Sequence, residues 1–174
     1  MNTELYAYAT HLPILRSLGA ILPIKRVLEF GAGLYSTPTF LDRTVFPHLE
    51  KLISVEDDWE WLQRVKDYIG SPQMRAHWPD AWSRLSLRYG SPEKSMLWVD
   101  TDDYDLIFID SGRTIADRIP IIEAIAARKP SCVVVIHDFE QWDYQHAARG
   151  LTGLKIYSDE TPWTAVFMPE RVTA

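Results

Sequence analysis

The amino-acid sequence predicts an α/β fold, built on a mostly parallel seven-stranded sheet with one antiparallel strand and helices on both faces. Short apolar segments alternate with helical segments between residues 26 and 140, a pattern typical of parallel sheets. Polar or glycine residues follow five apolar segments in succession, at the strand ends where α/β proteins bind ligands. Only about five residues join the last two apolar segments, so that pair should be antiparallel.

The first two strands and their helices follow from residue periodicity. Residues 26–31 (RVLEFG) form the first strand, and residues 36–46 form a helix with Ser36 as its N-cap. Residues 51–56 (KLISVE) form the second strand. Residues 58–69 carry apolar side chains at the 3–4 spacing of a helix with one buried face.

Three further strands complete the parallel part of the sheet. Residues 84–90 alternate like a third strand, whereas residues 104–110 and 131–138 are apolar enough for strands buried on both faces. The helical segment between the last two contains Pro120. Because a proline ring clashes inside a helix, we expect Pro120 to begin the second of two helical pieces. The segment SPQMRAHWPDAW (residues 71–82), before the third strand, is interpreted as an irregular insertion.

The chain length indicates one domain, residues 1–174. Residues 1–20 should form one or two short helices against the sheet, and residues 26–140 the core. Residues 141–174 should supply a closing helix and the antiparallel pair, whose strands are residues 154–159 and 164–169.

Composition narrows the class of protein. Eighteen basic and 24 acidic residues give a net charge of −6, which argues against a nucleic-acid partner because such proteins usually present a basic face. No apolar stretch reaches the roughly 18 residues of a membrane span, and the N-terminus lacks a signal-peptide pattern. We therefore expect a cytoplasmic protein without a membrane partner. The single Cys132 excludes an internal disulfide and a cysteine-cluster zinc site.

The turn after the first strand indicates a nucleoside site. Gly31 and Gly33 permit close approach of a ligand to the backbone, but Ser36 stands where a dinucleotide fingerprint has its third glycine, which disfavours NAD. Glu56 ends the second strand, where an acidic side chain can accept both ribose hydroxyls. The alternatives are an ordinary strand–helix turn and a solvated carboxylate.

The sequence also resembles a known family over residues 26–140. Four successive segments carry the resemblance to class I S-adenosylmethionine-dependent methyltransferases: VLEFGAGLYST, LISVEDD, YDLIFIDSGR and VVVIHDF. It is most similar to a small single-domain group with E-F-G-x-G, S-T, I-D and H-D motifs. The resemblance implies a Rossmann-like class I methyltransferase fold.

The resemblance implies S-adenosylmethionine as the cofactor and assigns its contacts. The methionine part would be surrounded by Glu29, Gly31, Ala32 and Gly33, with Ser36 and Thr37 nearby. Glu56 would hold the ribose, Asp57 would lie beside the adenine, Gly90 would close the adenine side and Asp110 would face the methionine end and the acceptor. In the family a glycine directly follows the aspartate, whereas here Ser111 stands between Asp110 and Gly112. This insertion shifts Arg113 from the position that the family motif would give it.

Proton removal from the acceptor is a task for His137 or Asp138, which end the fifth strand. His137 could instead hydrogen-bond a loop and have no catalytic role. Asp110 and Asp138 could hold a divalent metal ion, but two carboxylates are a small basis and no metal is expected.

The acceptor is expected to be a small molecule methylated at oxygen or nitrogen. Asp110 is not followed by the motif typical of methyltransferases that act on base amino groups. Enzymes that methylate cytosine carbon need a nucleophilic cysteine, but Cys132 begins its strand and so lies at the end of the sheet away from the site. Arg113 could pair with an acceptor anion, and Trp142 could wall an apolar pocket. Apolar closing strands and seven tryptophans suggest a homodimer. A non-catalytic cofactor-binding subunit and another nucleoside-dependent enzyme remain alternatives.

Overall fold

The structure is a computed structural model that describes residues 9–96, 98–112 and 114–169. It confirms the predicted fold: one sheet of seven strands in the order β3-β2-β1-β4-β5-β7-β6. The strands are β1 (Arg26–Phe30), β2 (Lys51–Glu56), β3 (Leu85–Tyr89), β4 (Leu106–Ile109), β5 (Val133–His137), β6 (Leu154–Tyr157) and β7 (Thr164–Phe167).

Helices connect the strands and cover the sheet. They are α1 (Leu12–Ile21), α2 (Ser36–Leu41), α3 (Trp59–Gly70), α4 (Pro72–His77), α5 (Ala81–Arg84), α6 (Pro92–Ser95), α7 (Ile115–Arg128) and α8 (Trp142–Ala147). Two single 3₁₀ turns lie at Thr101–Asp103 and Ala148–Gly150. Among the described helices, none combines the length and apolar character needed to cross a membrane.

The strand order reverses beside β1, and this reversal positions the site. β1 pairs in parallel with β2 on one side and with β4 on the other. The chain proceeds outward to β3 in one direction and to β5 in the other. Open α/β sheets bind ligands at such a switch point, outside the carboxyl ends of the strands.

The predicted antiparallel pair is confirmed. β7 lies between β5 and β6 and is antiparallel to both, with Val166 opposite Val135 on one side and Lys155 on the other. β7 is therefore the one strand that reverses direction in the sheet.

Two apolar layers hold the sheet, one on each face. Alternating strand residues point to opposite faces, so that Val27 and Phe108 join one buried cluster and Leu28 and Ile107 the other. α1 packs its buried face, including Leu15, into the first cluster. The predicted contact of the N-terminal segment with the core is thus present in its described part.

The prediction of two helical pieces around Pro120 is wrong, because α7 runs unbroken from Ile115 to Arg128. An interior proline costs a helix about 3 kcal/mol. The helix buries Ile121, Ile122 and Ile125, and each fully buried isoleucine contributes roughly 1.5–3 kcal/mol. Burial of this face therefore outweighs the proline penalty.

Two further boundaries differ from the sequence prediction. The helix predicted for residues 36–46 ends at Leu41, because the Asp42 side chain accepts a hydrogen bond from Thr44 N at 2.8 Å and forms a local turn. The segment 71–82, predicted to be irregular, contains α4 and the start of α5, and Ser71 is the N-cap of α4. The remaining strand boundaries agree with the prediction within one or two residues.

Candidate functional site

The turn after β1 is fixed against the end of β4. Gly31 has a φ of +94°, a conformation that favours glycine. A Cβ atom at this position would lie 2.4 Å from the backbone oxygen of Asp110. Gly31 N also donates a hydrogen bond to Val55 O at 2.9 Å. The turn therefore joins β1, β2 and β4 at the switch point.

Glu29 lies beneath this turn and is fully buried. Its Oε2 accepts hydrogen bonds from the hydroxyls of Thr37 (2.7 Å) and Ser54. Thr37 in turn accepts a hydrogen bond from Gly33 N at 2.9 Å. Burial raises the pKa of Glu29 to about 7, although nearby hydroxyls lower it in part. Glu29 thus supports the turn from below through Thr37.

Trp61 supports the same turn from the side, a contact that sequence reasoning missed. Its indole Nε1 donates a hydrogen bond to Ala32 O at 2.7 Å. The α3 periodicity assigns Trp61 to the apolar face, which gives no sign of a polar role. A Cβ on Gly33 would lie 2.7 Å from Ser36 Oγ, so the start of α2 is also packed closely on the turn.

Glu56 ends β2 and is 7% exposed. Its Oε1 accepts hydrogen bonds from the backbone N–H groups of Asp57 (2.9 Å) and Asp58 (2.8 Å). Burial raises the pKa of Glu56 to about 7. One carboxylate oxygen therefore stabilises the next turn and fixes where the side chain lies.

The end of β3 is open. Gly90 donates a backbone hydrogen bond to Glu56 O at 3.0 Å, and a Cβ atom added to Gly90 would meet no atom of the described residues within 4 Å. Beside it the exposed rings of Trp59 and Tyr89 contact each other edge to face, with centroids 5.3 Å apart. Asp57, at the end of the neighbouring strand, is also exposed.

A buried guanidinium holds the other half of the edge together. Arg118, on α7, is 4% exposed. It donates to Asp110 Oδ1 (3.2 Å), to Asp138 Oδ2 (3.0 Å) and to the backbone oxygens of Ser111 (2.7 Å) and His137 (2.9 Å). Arg118 therefore clamps the ends of β4 and β5 to each other.

Sequence reasoning also missed Arg118, although its position in α7 carries a signal. Arg118 lies three and four residues before Ile121 and Ile122, and therefore on the buried face of α7. A lone arginine on an apolar helix face needs buried anionic or carbonyl partners. The strand ends at Asp110 and Asp138 provide them.

The two carboxylates of this cluster are both partly accessible, with side-chain exposures of 24% for Asp110 and 31% for Asp138. Burial alone would raise the pKa of Asp110, but His137 and Arg118 outweigh it and lower that pKa to about 2. Asp138 has a φ of +58°, a strained conformation for a residue other than glycine. Such strain often accompanies a functional site.

Both ring nitrogens of His137 have protein partners. The Thr10 hydroxyl donates its one hydrogen to Pro162 O at 2.9 Å, so it accepts from His137 Nε2, also at 2.9 Å. Nδ1 lies 3.2 Å from Asp110 Oδ1. Burial opposes protonation of His137, but Asp110 and Asp138 raise its pKa overall. In this arrangement the ring carries hydrogens on both nitrogens and has no free lone pair.

His11 is a second buried histidine at the site, and no sequence pattern singles it out. Its ring lies 4.8 Å from the ring of His137 and 5.1 Å from that of Phe108, measured between centroids. It is 2% exposed, and neither ring nitrogen has a hydrogen-bond partner within the described part of the chain. Burial lowers the pKa of His11 to about 4, so the ring is neutral.

The structure thus brings the β1 turn together with Asp110, His137 and Asp138, and places Glu56, Asp57 and Gly90 on the β2–β3 side. Trp142 is 66% exposed at the start of α8, where its ring contacts His146. Arg113, predicted to contact the acceptor, lies outside the described residues.

Comparison with known proteins identifies the fold. No family model and no curated protein matches the sequence. A putative rRNA-methylase from Clostridium thermocellum is similar in structure, with a TM-score of 0.66, 9% identity and coverage of 93% of this chain and 97% of that one. Cofactor-bound Rv0187 from MTB gives a TM-score of 0.58 at 18% identity, covering 89% and 78% of the two chains.

A spermidine synthase in complex with the transition state analogue AdoDATO is also similar, with a TM-score of 0.58 at 16% identity. The match covers 86% of this chain but only 56% of the synthase, and the share is 54% for the spermidine synthase from Thermotoga maritima. The chain therefore spans just over half the length of these two enzymes. Together these structures show that the chain has the Rossmann-like fold of class I methyltransferases.

Proposed function

We propose that the chain binds S-adenosylmethionine and transfers its methyl group to a small-molecule acceptor at oxygen or nitrogen. The observation that carries the proposal is the Gly31 turn, fixed against the end of β4 with the Glu56 carboxylate at the end of the neighbouring strand. This pairing of a close-approach turn with a buried acid lies at the switch point of the sheet, where such folds bind nucleosides.

The residues present fit this cofactor. The Gly31–Gly33 turn and the start of α2, at Ser36 and Thr37, would hold the methionine part. Glu56 would accept the ribose hydroxyls with its second carboxylate oxygen, since Oε1 is used by the turn. Asp57 and Gly90 flank open space that suits the adenine.

When bound, the cofactor supplies an activated methyl group on a sulfonium. The protein has to align the acceptor and exclude water. Asp110 and Asp138 would orient the acceptor, and Asp138, the more exposed of the two, would receive its proton. Because His137 has no free lone pair here, we assign it a positioning role through Asp110 rather than that of a general base.

The acceptor would lie near Trp142, whose exposed ring at the start of α8 could form an apolar wall. The net charge of −6 favours a small molecule over a nucleic acid. A homodimer is part of the same proposal, because Leu154 and Ile156 are exposed on edge strand β6. A particle of 20.1 kDa, the mass of one chain, in light scattering at micromolar concentration would contradict it.

Calorimetry tests the cofactor directly. We expect S-adenosylhomocysteine to bind and NAD to give no heat of binding. Tight NAD binding without a response to S-adenosylhomocysteine would overturn the proposal.

Two other functions have specific support. The similarity to spermidine synthases favours a different group transfer on the same fold. A non-catalytic cofactor-binding subunit is the other alternative, since the chain spans only part of those enzymes. Mass spectrometry of products from the purified chain and a panel of small acceptors distinguishes the three: a methylated product, a product with a larger added group, or no product despite cofactor binding.

A further inference from the structure

A cluster of three metal-ligating side chains lies at the carboxyl ends of β4 and β5. His11, Asp110 and His137 come from three separate segments, and their candidate ligand atoms all lie within 4.8 Å of one another. His137 Nδ1 and Asp110 Oδ1 are 3.2 Å apart. Metal–ligand bonds of about 2.0–2.1 Å at the tetrahedral angle separate neighbouring ligand atoms by roughly 3.3 Å. We propose that these three residues form a binding site for a divalent first-row transition-metal ion such as Zn²⁺.

His11 is the decisive member of the cluster. A neutral imidazole carries one donor and one acceptor, and a buried polar group without a partner costs free energy. His11 is 2% exposed, yet neither of its nitrogens has a partner among the described residues. A proton shared by His137 and Asp110 explains the contact between those two residues but leaves His11 unexplained. A metal ion that displaces the Nδ1 proton of His137 accounts for all three, with the His11 ring drawn closer to the other two on binding.

The surrounding contacts have the pattern of an outer ligand shell. Metal-binding histidines usually donate their other ring N–H to a protein acceptor, and ligating carboxylates are themselves hydrogen-bonded. His137 Nε2 lies on the Thr10 hydroxyl, which is held by Pro162 O. Asp110 is held by Arg118. These contacts hold both side chains in place.

Charge is compatible with the ion. Arg118 pairs with both Asp138 (3.0 Å) and Asp110 (3.2 Å), so one guanidinium offsets one of the two carboxylate charges. Asp110 then supplies the single negative charge of a two-histidine, one-carboxylate set. Imidazole suits zinc, copper, iron and nickel, whereas magnesium and calcium prefer oxygen ligands. The site therefore differs from the Asp110–Asp138 oxygen site considered from the sequence.

The proposal depends on these side chains and not on the proposed function. If both are correct, the ion lies beside the methyl acceptor and can bind an acceptor oxygen and lower its pKa. Calorimetry with S-adenosylhomocysteine reports the proposed function separately from metal binding.

Cobalt is the probe for the test, because a four-coordinate Co²⁺ ion absorbs visible light strongly. We expect the chelator-treated protein to bind one Co²⁺ with a new visible band and Zn²⁺ to displace it. His11→Phe should remove the band while keeping the packing on Phe108. Thr10→Val, which retains shape but loses the hydroxyl, should weaken affinity by roughly 10- to 100-fold. His48→Ala, an exposed histidine, is the control and should not change the titration.

Circular dichroism and thermal unfolding establish that each variant is folded. A wild-type protein that shows neither the Co²⁺ band nor stabilisation by Zn²⁺ overturns the proposal, and His11 is then satisfied by water. A Co²⁺ band that persists in folded His11→Phe also overturns it, because the ion is then bound elsewhere.

Discussion

Two acids on neighbouring strands, the buried Glu29 and the partly exposed Asp110, have pKa values shifted in opposite directions. Burial raises the pKa of Glu29 to about 7, because its partners are uncharged hydroxyls. Asp110 resists the same effect because His137 and Arg118 carry positive charge beside it, and its pKa falls to about 2. The partner, and not burial alone, decides the charge of each acid.

The difference divides the edge of the sheet into two chemical regions. The β1–β2 region, with Glu29 and Glu56, uses hydroxyl and backbone N–H donors, and the proposed function gives it the nucleoside. The β4–β5 region uses ion pairs around Arg118, and the proposed function gives it the methyl acceptor. Gly31 joins the two, since its turn lies on the backbone of Asp110.

Removal of the Arg118 guanidinium should have the largest effect on the free energy of unfolding. Arg118→Met leaves Asp110 and Asp138 without their buried cation, which typically costs about 3–5 kcal/mol of stability. Chemical denaturation measures the free energy of unfolding. Arg16→Met, at an exposed arginine of α1, is the control and should stay within about 0.5 kcal/mol of wild type. A small loss in Arg118→Met would show that the β4–β5 region does not depend on this ion-pair cluster.

The Glu29 shift predicts a pH dependence of opposite sign to that of an ion-paired acid. The folded-state pKa lies near 7, above the ordinary value of 4.5, so the stability that Glu29 contributes is fully present below pH 4.5 and is lost as the pH rises through about 7. The facing groups are the hydroxyls of Ser36, Thr37 and Ser54, with the Asp110 charge nearby. The expected change is on the order of 3 kcal/mol.

Glu29→Gln isolates this contribution, because glutamine keeps an oxygen for the Thr37 and Ser54 hydroxyls and cannot titrate. Between pH 4.5 and 7, the free energy of unfolding of the variant should fall less with rising pH than that of the wild type, because the Glu29 contribution is missing. Parallel curves for the two proteins would show that Glu29 is ionised in the fold throughout this range.

On the ligand side, Glu56→Gln should weaken S-adenosylhomocysteine binding by roughly 1.5–3 kcal/mol, the scale of hydrogen bonds to a charged group. Glutamine can keep the bonds to the Asp57 and Asp58 amides, so the fold should be retained. Calorimetry measures the change, and Glu60→Gln on the exposed side of α3 is the matched control. Equal losses in both variants would remove Glu56 from the cofactor site.

The sequence predicts the sheet well because periodicity and strand-end chemistry are local signals. The predicted bounds of β2 match the structure to the residue, and the reversed β7 follows from a short connection. Pro120 misleads the prediction because a local penalty is weighed without the burial of the helix face around it.

Part of the candidate site is out of reach of sequence reasoning. Gly31, Glu56 and Asp110 are predicted as site residues from their positions at strand ends. Thr10 and His11 come from a segment more than a hundred residues before His137, and no spacing rule connects them. We infer that both nitrogens of His137 carry a hydrogen because the Thr10 hydroxyl donates to Pro162 O and must accept from Nε2. The contact between Thr10 and Pro162 is known only from the fold.

Substitution of Gly90 should have the smallest effect on stability. Comparison with Gly31 distinguishes a glycine that the fold needs from one that only a ligand needs. Among the residues that the structure describes, none would lie within 4 Å of a Cβ atom on Gly90, and this residue lacks the positive φ of Gly31. Gly90→Ala should therefore change stability by less than about 0.5 kcal/mol. If adenine lies in the open space at the end of β3, the added methyl group should weaken S-adenosylhomocysteine binding by roughly 1–3 kcal/mol through overpacking.

Gly31→Ala is the contrasting variant, since its methyl group would overlap the backbone at Asp110 and lower stability before any ligand is added. Thermal unfolding and calorimetry on both proteins separate the two effects. Unchanged affinity in a stable Gly90→Ala protein would place the adenine elsewhere along the edge. A loss of stability in Gly90→Ala would instead show that the end of β3 is packed in solution, and the space proposed there for the adenine would then be absent.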